Sequence, residues 1–372
     1  MTYQVCVRCV MDTSDPKINF DEYGYCNHCR EYYEIAPKVL KHGEAGKNEL
    51  KALIHQIKKE GEGKPYDCLI GLSGGVDSSY IAYKLKKMGL RPLAVHFDSG
   101  WNSELAVKNI ENIVKKLEID LITYVCDWKE MQDLQLSYFK AGVINADIPM
   151  DHAFLAVLHK IARQKKLKYF ISGHNFETEA ILAKSWVYNA ADAANLKDIQ
   201  KRCGTLKLKK YPTESVLLNY YTRLIFGLKR VHLLDFEHYN KNEAMRIIEQ
   251  ELGWKYYGGK HYESIFTRFY QGYYLIERFG VDKRRAHLST LICSNQLTRE
   301  DALLELSKDA YTDANLLRQD LDFVPKKLGI SKDEFFSILA EPIKQHTDYK
   351  TDIKERQLIM KIVKMLRRVL GK

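Results

Sequence analysis

Residues 68–79 of the chain read CLIGLSGGVDSS. The first five are apolar, and a helical pattern follows the two glycines. A strand that turns through glycines into a helix leaves several backbone N–H groups aimed at one point, at the positive end of the helix dipole. That point suits a phosphate, with hydroxyl donors from Ser73, Ser78 and Ser79. Asp77 fits beside phosphates if Mg²⁺ lies between them. The alternative is a turn that only caps a helix.

Gly74 and Gly75 allow the backbone to come close to an anion. The loop lacks the Gly-Lys-Ser/Thr ending of the P-loop that transfers γ-phosphates. It resembles the PP-loop of ATP pyrophosphatases, S-G-G-x-D-S. This resemblance implies that the chain cleaves ATP to AMP and pyrophosphate.

The chain has 372 residues, a length that predicts two to three domains. Its formal net charge of +10 predicts anionic partners such as nucleotides, acidic sugars or RNA. A surplus of ordinary surface lysine is the alternative explanation of the charge. No run of about 18 apolar residues and no secretory pattern occurs, so we expect a cytoplasmic protein without a membrane span.

Four of the eight cysteines form two pairs, Cys6-x-x-Cys9 and Cys26-x-x-Cys29, with sixteen residues between them. This spacing predicts a structural four-thiolate zinc site, in which the metal supplies folding energy and keeps no open position for catalysis. The alternatives are an iron–sulfur site, free thiols, or His28 competing as a ligand.

From residue 66 to 235 the pattern alternates strand and helix. This predicts an α/β fold with a doubly wound parallel sheet, whose ligands bind beyond the carboxyl ends of the strands. The predicted strands are Cys68–Leu72, Leu93–Phe97, Leu121–Val125, Tyr169–Ser172 and Val231–Leu234. The predicted helices among them are Ser78–Met88, Ser103–Leu117 and His152–Lys165.

Changes in pattern predict four parts of the chain. They are zinc-ribbon-like knuckles at 1–34, a helical linker at 35–64, a PP-loop ATP-binding domain at 65–240, and a helical substrate-binding or interaction domain at 241–372. Residues 185–225 show no clear pattern, and we interpret them as a lid or an interface.

Polar residues follow several of the predicted strands, among them Asp98 after the second and Gly173-His174-Asn175 after the fourth. Carboxyl ends of parallel strands meet at one edge of a sheet, so these residues are candidates for one site. By this position Asp98 is expected to border the nucleotide.

The stretch that continues to Glu177 and Glu179 resembles the G-H-x-x-(D/E)-x-x-E element of PP-loop enzymes. That resemblance implies that Glu177 or Glu179 holds Mg²⁺ together with Asp77, and that Gly173 and His174 lie near the phosphates. The alternative is an ordinary helix start whose acidic residues suit the dipole.

Beyond residue 240 the rhythm changes, and aromatic residues alternate with basic ones from 254 to 289. Such a face suits a sugar or a nucleotide, because rings stack and cations pair with carboxylate or phosphate. Single-stranded RNA or plain aromatic packing between helices would fit almost as well. The substrate-binding candidates are Lys260, His261, Arg268, Lys283, Arg284 and Arg285.

The cysteine pairs and the SGGVDS loop are followed by three further blocks, YGGKHYES at 257–264, FTRFYQG at 266–272 and DKRRAHLS at 282–289. Together and in this order, they resemble the N-acetyl sugar amidotransferases of bacterial surface-polysaccharide or nonulosonic-acid biosynthesis. The resemblance covers nearly the whole chain.

This resemblance implies that the N-acetyl group of an acidic amino sugar, or of its nucleotide-linked form, becomes an acetamidino group. ATP adenylates the amide oxygen, ammonia attacks, and AMP and pyrophosphate are released. The implied cofactors are ATP, Mg²⁺ and structural Zn²⁺. Asp77, His174 and Glu177 are the catalytic candidates.

Ammonia needs a source. The chain begins Met1-Thr2 without an N-terminal cysteine nucleophile, and Arg202-Cys203-Gly204 is not the G-x-C-x-G elbow of a glutaminase. We therefore expect a separate glutaminase, which the resemblance implies is similar to that of imidazole-glycerol-phosphate synthesis.

Two other functions are compatible with parts of the pattern. A tRNA thiolase uses the same loop, but it would need a sulfur-carrying cysteine beside ATP, and only Cys203 and Cys293 lie outside the knuckles and strands. Nucleic acid is therefore not the expected partner. A zinc-ribbon adaptor that only senses nucleotide would not require Asp77 together with an acidic helix start.

Overall fold

The computed structural model describes residues 2–259, 262–311 and 313–369. Its centre is a sheet of five strands: β1 Cys68–Gly71, β2 Pro92–Asp98, β3 Asp120–Val125, β4 Tyr169–Ser172 and β5 Lys229–His232. Every neighbouring pair is parallel, in the order β3-β2-β1-β4-β5. All five predicted strands are confirmed, although β5 lies two residues nearer the N-terminus than expected.

The helices before residue 210 are α1 Asn27–Val39, α2 Gly43–Gly61, α3 Val76–Lys87, α4 Glu104–Leu117, α5 Trp128–Ala141, α6 Ile148–Gln164, α7 Phe176–Glu179 and α8 Ala193–Cys203. Those after it are α9 Val216–Tyr220, α10 Lys241–Leu252, α11 Ile265–Phe269, α12 Leu275–Phe279, α13 Arg284–Cys293, α14 Arg299–Leu306, α15 Ala314–Lys327, α16 Lys332–Ala340 and α17 Ile353–Val369. Short 3₁₀ turns lie at 184–186, 233–236 and 346–348, and π-helical turns at 221–225 and 270–274.

Helices cover both faces of the sheet. Successive strand residues point to opposite faces, so Ile70 of β1 packs with α2, α3, α4 and α10, whereas Leu69 packs with α6. This is the predicted doubly wound fold. Helix α10 packs on α3 as part of the sheet layers, although the predicted domain boundary precedes it. The domain boundaries themselves stay a prediction.

A third core joins the two ends of the chain. The four knuckle cysteines share it with α5 and with the C-terminal helices, through buried residues such as Phe139, Phe266 and Phe335. Within the described ranges, no helix is long and apolar enough to cross a bilayer.

The strand order places β1 and β4 side by side at the centre. The chain winds outward from β1 through β2 to β3, and then crosses to β4 and β5 on the other side. In such sheets the crevice at the reversal of strand order is the usual ligand site. The loops after β1 and β4 both open there.

Candidate functional site

The loop between β1 and α3 depends on Gly74. Its φ is 80°, and a Cβ there would lie 2.6 Å from the backbone oxygen of Ala106 in α4. The carbonyl of Gly74 accepts a hydrogen bond from Nε1 of the buried Trp254 at 2.8 Å. Gly74 therefore sets the shape of the loop by packing outward and does not line the cavity described below.

Serine hydroxyls close the first turn of α3. Oγ of Ser73 accepts the Gly75 N–H at 3.2 Å, and Oγ of Ser78 lies 3.2 Å from Oγ of Ser73. Ser79 is fully buried and donates to the carbonyl of Gly75 at 2.6 Å. Ser73 and Ser78 line the cavity described below, and their binding of phosphate stays a prediction. Ser79, also expected to donate to the phosphate, instead stabilises the turn from within.

A cavity of about 200 Å³ lies at the N-terminus of α3. Its lining comes from the loop, from the end of β4, and from segments after residue 240. The lining residues are Ser73, Gly75, Val76, Asp77, Ser78, Gly173, His174, Glu179, Lys241, Tyr257 and Glu263. The helix dipole and the backbone N–H groups favour an anion at this position.

Gly173 allows β4 to approach α3 closely. A Cβ on Gly173 would lie 3.2 Å from Cβ of Asp77 and from N of Ser78. A larger residue would require its neighbours in α3 to give by a few tenths of an ångström. Gly173 also lines the cavity, and its predicted place beside the phosphates stays a prediction.

Two residues that the sequence reasoning missed contact Asp77. The hydroxyl of Tyr239 donates to Oδ1 of Asp77 at 2.5 Å, and Nζ of Lys241 lies 3.9 Å from Oδ2. Burial raises the pKa of Tyr239 well above its usual value, and the charge of Asp77 raises it further. Tyr239 therefore stays a protonated donor at physiological pH.

The two acidic residues of α7 point in different directions. The carboxylate of Glu179 lines the cavity and accepts from Nδ1 of His174 at 2.7 Å. Glu177 is buried, and its carboxylate lies beside His42, His238 and the backbone N–H of Tyr239. The sequence left Glu177 and Glu179 both as partners of Asp77 at Mg²⁺. The placement of Glu177 is corrected, since only Glu179 shares a cavity with Asp77, and the binding of Mg²⁺ stays a prediction.

Helix geometry explains this correction. Residues two apart on a helix are separated by about 200° around its axis, so their side chains leave on nearly opposite sides. Glu177 and Glu179 cannot both face the crevice.

Asp98 lies at the carboxyl end of β2 but lines neither cavity. Oδ1 accepts from the backbone N–H of Gly100 at 2.8 Å and from Nδ2 of Asn102 at 3.0 Å. The same Asn102 forms an isolated β-bridge with Ser264. In this structure Asp98 orders the loop that joins β2 to the C-terminal region, and its role beside a nucleotide stays a prediction.

The first cavity is suited to Mg²⁺ as well as to an anion. Asp77, Glu179 and Glu263 supply carboxylates to one lining, and carboxylate oxygens are the protein ligands that Mg²⁺ prefers. The residues present therefore fit the ion that the fold implies.

A second cavity, of about 490 Å³, adjoins the first. His174 and Glu179 line both. Its other walls come from the aromatic and basic blocks after residue 254. They include Tyr256, Tyr262, Arg268, Gln271, Lys283, Arg284 and His287.

Each predicted basic residue in this cavity is paired with an acidic one. Arg268 donates to Asp320 through Nε at 2.8 Å and Nη2 at 2.7 Å, and Arg284 holds Asp282 at 2.8 Å. Lys283 lies 3.8 Å from a carboxylate oxygen of Asp147. These pairs fix the cations in place and reduce the net positive charge that a substrate would meet.

Arg285 is not part of the cavity, contrary to expectation. It points to the knuckles, where Nε lies 2.9 Å from Asp12 and Nη1 donates to the carbonyl of Val10 at 2.9 Å. It follows Arg284 by one helical position, and that rotation carries it to another face of α13. Lys260 and His261 lie outside the described residues.

A π-helical turn at 270–274 contributes to the second cavity. It connects α11 and α12 and presents Gln271 and Gly272 to the lining. A Cβ on Gly272 would lie 2.8 Å from the ring of Tyr311. Turns of this kind often occur at functional sites, because the extra residue redirects the side chains around it.

The four knuckle cysteines form a buried cluster. Sγ of Cys6 lies 3.8 Å from that of Cys29, and Sγ of Cys9 lies 3.7 Å from that of Cys26. A tetrahedral zinc ion with Zn–S bonds of about 2.3 Å would hold its sulfurs about 3.8 Å apart. The cluster could therefore bind zinc. His28, the competing candidate, is hydrogen-bonded to Asp15 at 2.8 Å.

Backbone and C-terminal groups support this cluster. Sγ of Cys6 accepts the N–H of Cys26 at 3.3 Å, and hydrogen bonds of this kind stabilise a thiolate. Arg299 of α14 donates to the carbonyls of Cys6 at 3.0 Å and Cys9 at 3.2 Å. The knuckles are thus anchored on helices more than 280 residues further along the chain.

Comparison with known proteins identifies the C-terminal region. Residues 263–366 match the family described as "LPS biosynthesis protein WbpG-like, C-terminal domain". This region is therefore similar to the C-terminal domain of that family. Together with the SGGVDS loop on a doubly wound sheet, the match supports the resemblance at the level of a PP-loop protein of LPS biosynthesis.

Curated relatives match about a third of the chain. They are tRNA(Ile)-lysidine synthases: that of Chlamydia felis is 24% identical over 132 residues, and that of Chlamydia pneumoniae 28% over 136 residues, each covering 36% of this chain. The chain spans about two fifths of the length of these relatives, 39% and 40% respectively.

Two solved structures show a more distant similarity. An NH3-dependent NAD synthetase from Campylobacter jejuni gives a TM-score of 0.31 at 13% identity, covering 56% of this chain and 85% of its own. An NMN synthetase from Francisella tularensis gives 0.30 at 14% identity, covering 56% and 96%. The fold assignment rests on the strand order described above.

Proposed function

We propose that the chain is an ATP-dependent, AMP-forming amidotransferase that converts the N-acetyl group of an acidic amino sugar into an acetamidino group. The observation that carries this proposal is the junction of the two cavities at His174 and Glu179. One cavity has the features of a phosphate site, and the other is large enough for a sugar. A group bound in the second can therefore reach a nucleotide bound in the first.

The chemistry explains why two adjoining cavities are needed. An amide carbonyl is a poor electrophile, because its nitrogen donates into it and oxide is a poor leaving group. The amide oxygen attacks the α-phosphorus of ATP, the bond to pyrophosphate breaks, and an O-adenylyl imidate forms. Ammonia then adds to the imidate carbon, the carbon–oxygen bond breaks, and the former amide oxygen leaves on AMP. The protein must hold the amide oxygen in line with the phosphorus.

In this mechanism the N-terminus of α3 binds the departing pyrophosphate, with Ser73, Ser78 and the backbone N–H groups as donors. Asp77 and Glu179 would hold Mg²⁺, which when bound neutralises charge on the phosphates. Tyr239 and Lys241 fix the carboxylate of Asp77. His174, oriented by Glu179, lies where the two substrates meet.

The second cavity would bind the sugar. Tyr256 and Tyr262 offer ring faces for the sugar, and Lys283 offers a donor to its carboxylate. Arg268 and Arg284 would act mainly through the carboxylates that they orient. A nucleotide-linked sugar would extend toward the open rim.

The ammonia would come from a separate glutaminase similar to that of imidazole-glycerol-phosphate synthesis. In support, no cysteine lines either described cavity. The purified chain should therefore use ammonium salts but not glutamine. Glutamine-dependent turnover by the chain alone would contradict this part of the proposal.

The main test uses the N-acetyl substrate carrying a heavy oxygen isotope in its acetyl group. Incubation with ATP, Mg²⁺ and ammonium should release pyrophosphate, and mass spectrometry should find the heavy oxygen in AMP. ADP as product, or unlabelled AMP, would contradict the mechanism. A panel of diacetamido uronic acids and nine-carbon acids, free and nucleotide-linked, would identify the sugar. We place the reaction in the cytoplasm, where ATP is available.

A second function is favoured by the curated relatives, which are named as tRNA(Ile)-lysidine synthases. The proposal would then become a PP-loop tRNA-modifying enzyme. A thiolase in particular would need a reactive cysteine near ATP, but Cys293 is buried 3.9 Å from Cys29 and Cys203 lies beside Tyr349. Pyrophosphate release triggered by tRNA and by none of the sugars would establish this alternative.

A further inference from the structure

Two histidines and a glutamate meet outside both cavities. His42 precedes α2, Glu177 lies on α7, and His238 follows the 3₁₀ turn after β5. Three separate segments of the chain therefore converge at this position. Their ligand atoms, one from each residue, all lie within 4.8 Å of one another.

The donor atoms face a common point. Oε1 of Glu177 lies 3.3 Å from Nδ1 of His238 and 3.9 Å from Nε2 of His42. A metal ion with bonds of about 2.1 Å to nitrogen and oxygen would separate tetrahedral ligands by about 3.4 Å. The distance from Glu177 to His238 already has this spacing, and the distance from Glu177 to His42 exceeds it by about 0.5 Å.

One nitrogen of the three residues has no hydrogen-bond partner among the described residues. It is Nε2 of His42, which is buried. The rings of His42 and His238 lie 3.8 Å apart, so a positive charge on both would be unfavourable. A cation between two neutral imidazoles and the carboxylate satisfies all three groups at once.

We propose that His42, Glu177 and His238 bind a divalent first-row transition metal ion. Two imidazoles and one carboxylate suit zinc, iron or cobalt and do not suit Mg²⁺, which requires oxygen ligands. The side chain of His238 is 82% exposed, so the remaining coordination positions are open to water. This site is distinct from the four-cysteine cluster and from the Mg²⁺ position beside Asp77.

The ion would fasten the segment that supplies Tyr239. Oε2 of Glu177 accepts the backbone N–H of Tyr239, whose hydroxyl donates to Asp77. The neighbouring backbone N–H of Lys41 donates to the carbonyl of Asp235 at 2.8 Å. A bound metal would therefore tie the linker before α2 to the loop that positions Asp77.

The test titrates Co²⁺ into the full chain after its four-cysteine cluster has been loaded with zinc. We expect one further equivalent of Co²⁺, with the visible absorption of nitrogen and oxygen ligands and without the near-ultraviolet band of cobalt–thiolate bonds. His238→Ala and Glu177→Gln should each weaken this binding at least tenfold. Glu177→Gln keeps an oxygen that can accept from Tyr239, so the fold is preserved.

His55→Ala provides the matched control, because His55 is an exposed histidine on α2 outside the cluster. It should bind Co²⁺ like the unaltered chain. Zinc content and circular dichroism check that every variant is folded. Absence of the extra equivalent in the unaltered chain, or equal Co²⁺ affinity in His238→Ala, would overturn the proposal.

Discussion

The hydroxyl of Tyr239 donates a hydrogen bond to Oδ1 of Asp77 at 2.5 Å, across 162 positions of sequence. Asp77 lies in the first turn of α3, whereas Tyr239 follows the last strand of the sheet. The contact therefore orients the only acidic residue of the loop from the opposite side of the crevice.

Loss of this bond should impair the reaction without unfolding the chain. Asp77→Asn should abolish sugar-dependent pyrophosphate release, and Tyr239→Phe should lower kcat about tenfold or more, since a hydrogen bond to a charged group contributes about 1.5–3 kcal/mol. Tyr80→Phe is the control, because its ring lies 5.8 Å from that of Tyr239, whereas the hydrogen bond to Asp77 comes from Tyr239. Equal rates in Tyr239→Phe and Tyr80→Phe would exclude the positioning role.

Gly74 should tolerate no side chain. Gly74→Ala has two costs: the new Cβ would lie 2.6 Å from the carbonyl oxygen of Ala106, and alanine would be strained at a φ of 80°. Gly280→Ala has a comparable φ of 62° but open space, so it isolates the backbone cost of about 1–2 kcal/mol. Denaturant unfolding should show the larger loss for Gly74→Ala, together with lost ATP binding. A loss no greater than that of Gly280→Ala would contradict the packing argument.

The two glutamates of α7 should differ in their effect on Mg²⁺. Glu179→Gln should raise the Mg²⁺ concentration needed for half-maximal pyrophosphate release and lower the maximal rate by about 100-fold, as a loss of charge stabilisation at phosphates does. Glu177→Gln should change the Mg²⁺ requirement far less, because it lies outside the cavity and keeps an oxygen that can accept the N–H of Tyr239. A larger effect of Glu177→Gln than of Glu179→Gln would instead favour Glu177 as the Mg²⁺ ligand.

Metal removal should destabilise the whole chain. Cys9→Ser should lose the zinc and lower Tm, because the cluster supports the contacts of Arg299 and Arg285 with the knuckles. Cys203→Ser, which changes a half-buried cysteine outside the cluster, serves as control and should retain the metal. Atomic absorption and thermal unfolding measure both effects, and a metal-free Cys9→Ser chain with unchanged Tm would refute a structural role.

His346 should make stability depend on pH. It is buried, its Nδ1 lies 2.8 Å from Oδ1 of Asn195, and burial lowers its pKa from 6.5 to about 4. The neutral form of His346 is therefore favoured in the folded chain. Its contribution to the free energy of unfolding is fully present above pH 6.5. As the pH falls toward 4 the unfolded chain takes up a proton that the folded chain does not, and up to about 3 kcal/mol of stability is lost.

His346→Gln removes this titration. The difference in unfolding free energy between the unaltered chain and the variant should shrink as the pH is lowered from 7 to 4, in the direction given by the lowered pKa. Unfolding in denaturant at several pH values measures it. A difference that stays constant with pH would show that His346 titrates alike in both states.

The sheet and its loop were predictable because their signals are local. Each strand is a short apolar run, and the SGGVDS loop carries its own turn and helix start. Helix α5 was missed, although its Asp127 accepts a hydrogen bond from the N–H of Glu130 as an N-cap should. Its buried residues include the polar side chains of Glu130, Gln135 and Ser137, so polar residues occur on its buried side as well and blur the apolar stripe that marks a helix in sequence.

The rest of the site depends on contacts that sequence patterns do not contain. Tyr239, Lys241 and Trp254 reach the loop from residues more than 150 positions away, and no motif marks them. Which of Glu177 and Glu179 faces the cavity depends on how the single turn of α7 is oriented about its axis. The basic residues were found by composition, but their acidic partners, such as Asp320, were not.

The attachment of the knuckles has a consequence for synthesis of the chain. Val10 donates its N–H to Ser289 at 3.2 Å, and Arg299 grips the carbonyls of Cys6 and Cys9. Since the ribosome makes a chain from its N-terminus, the knuckles emerge well before Ser289 and Arg299 do. They must therefore wait, loaded with their ion or still open, until α13 and α14 have been made and can pack against them.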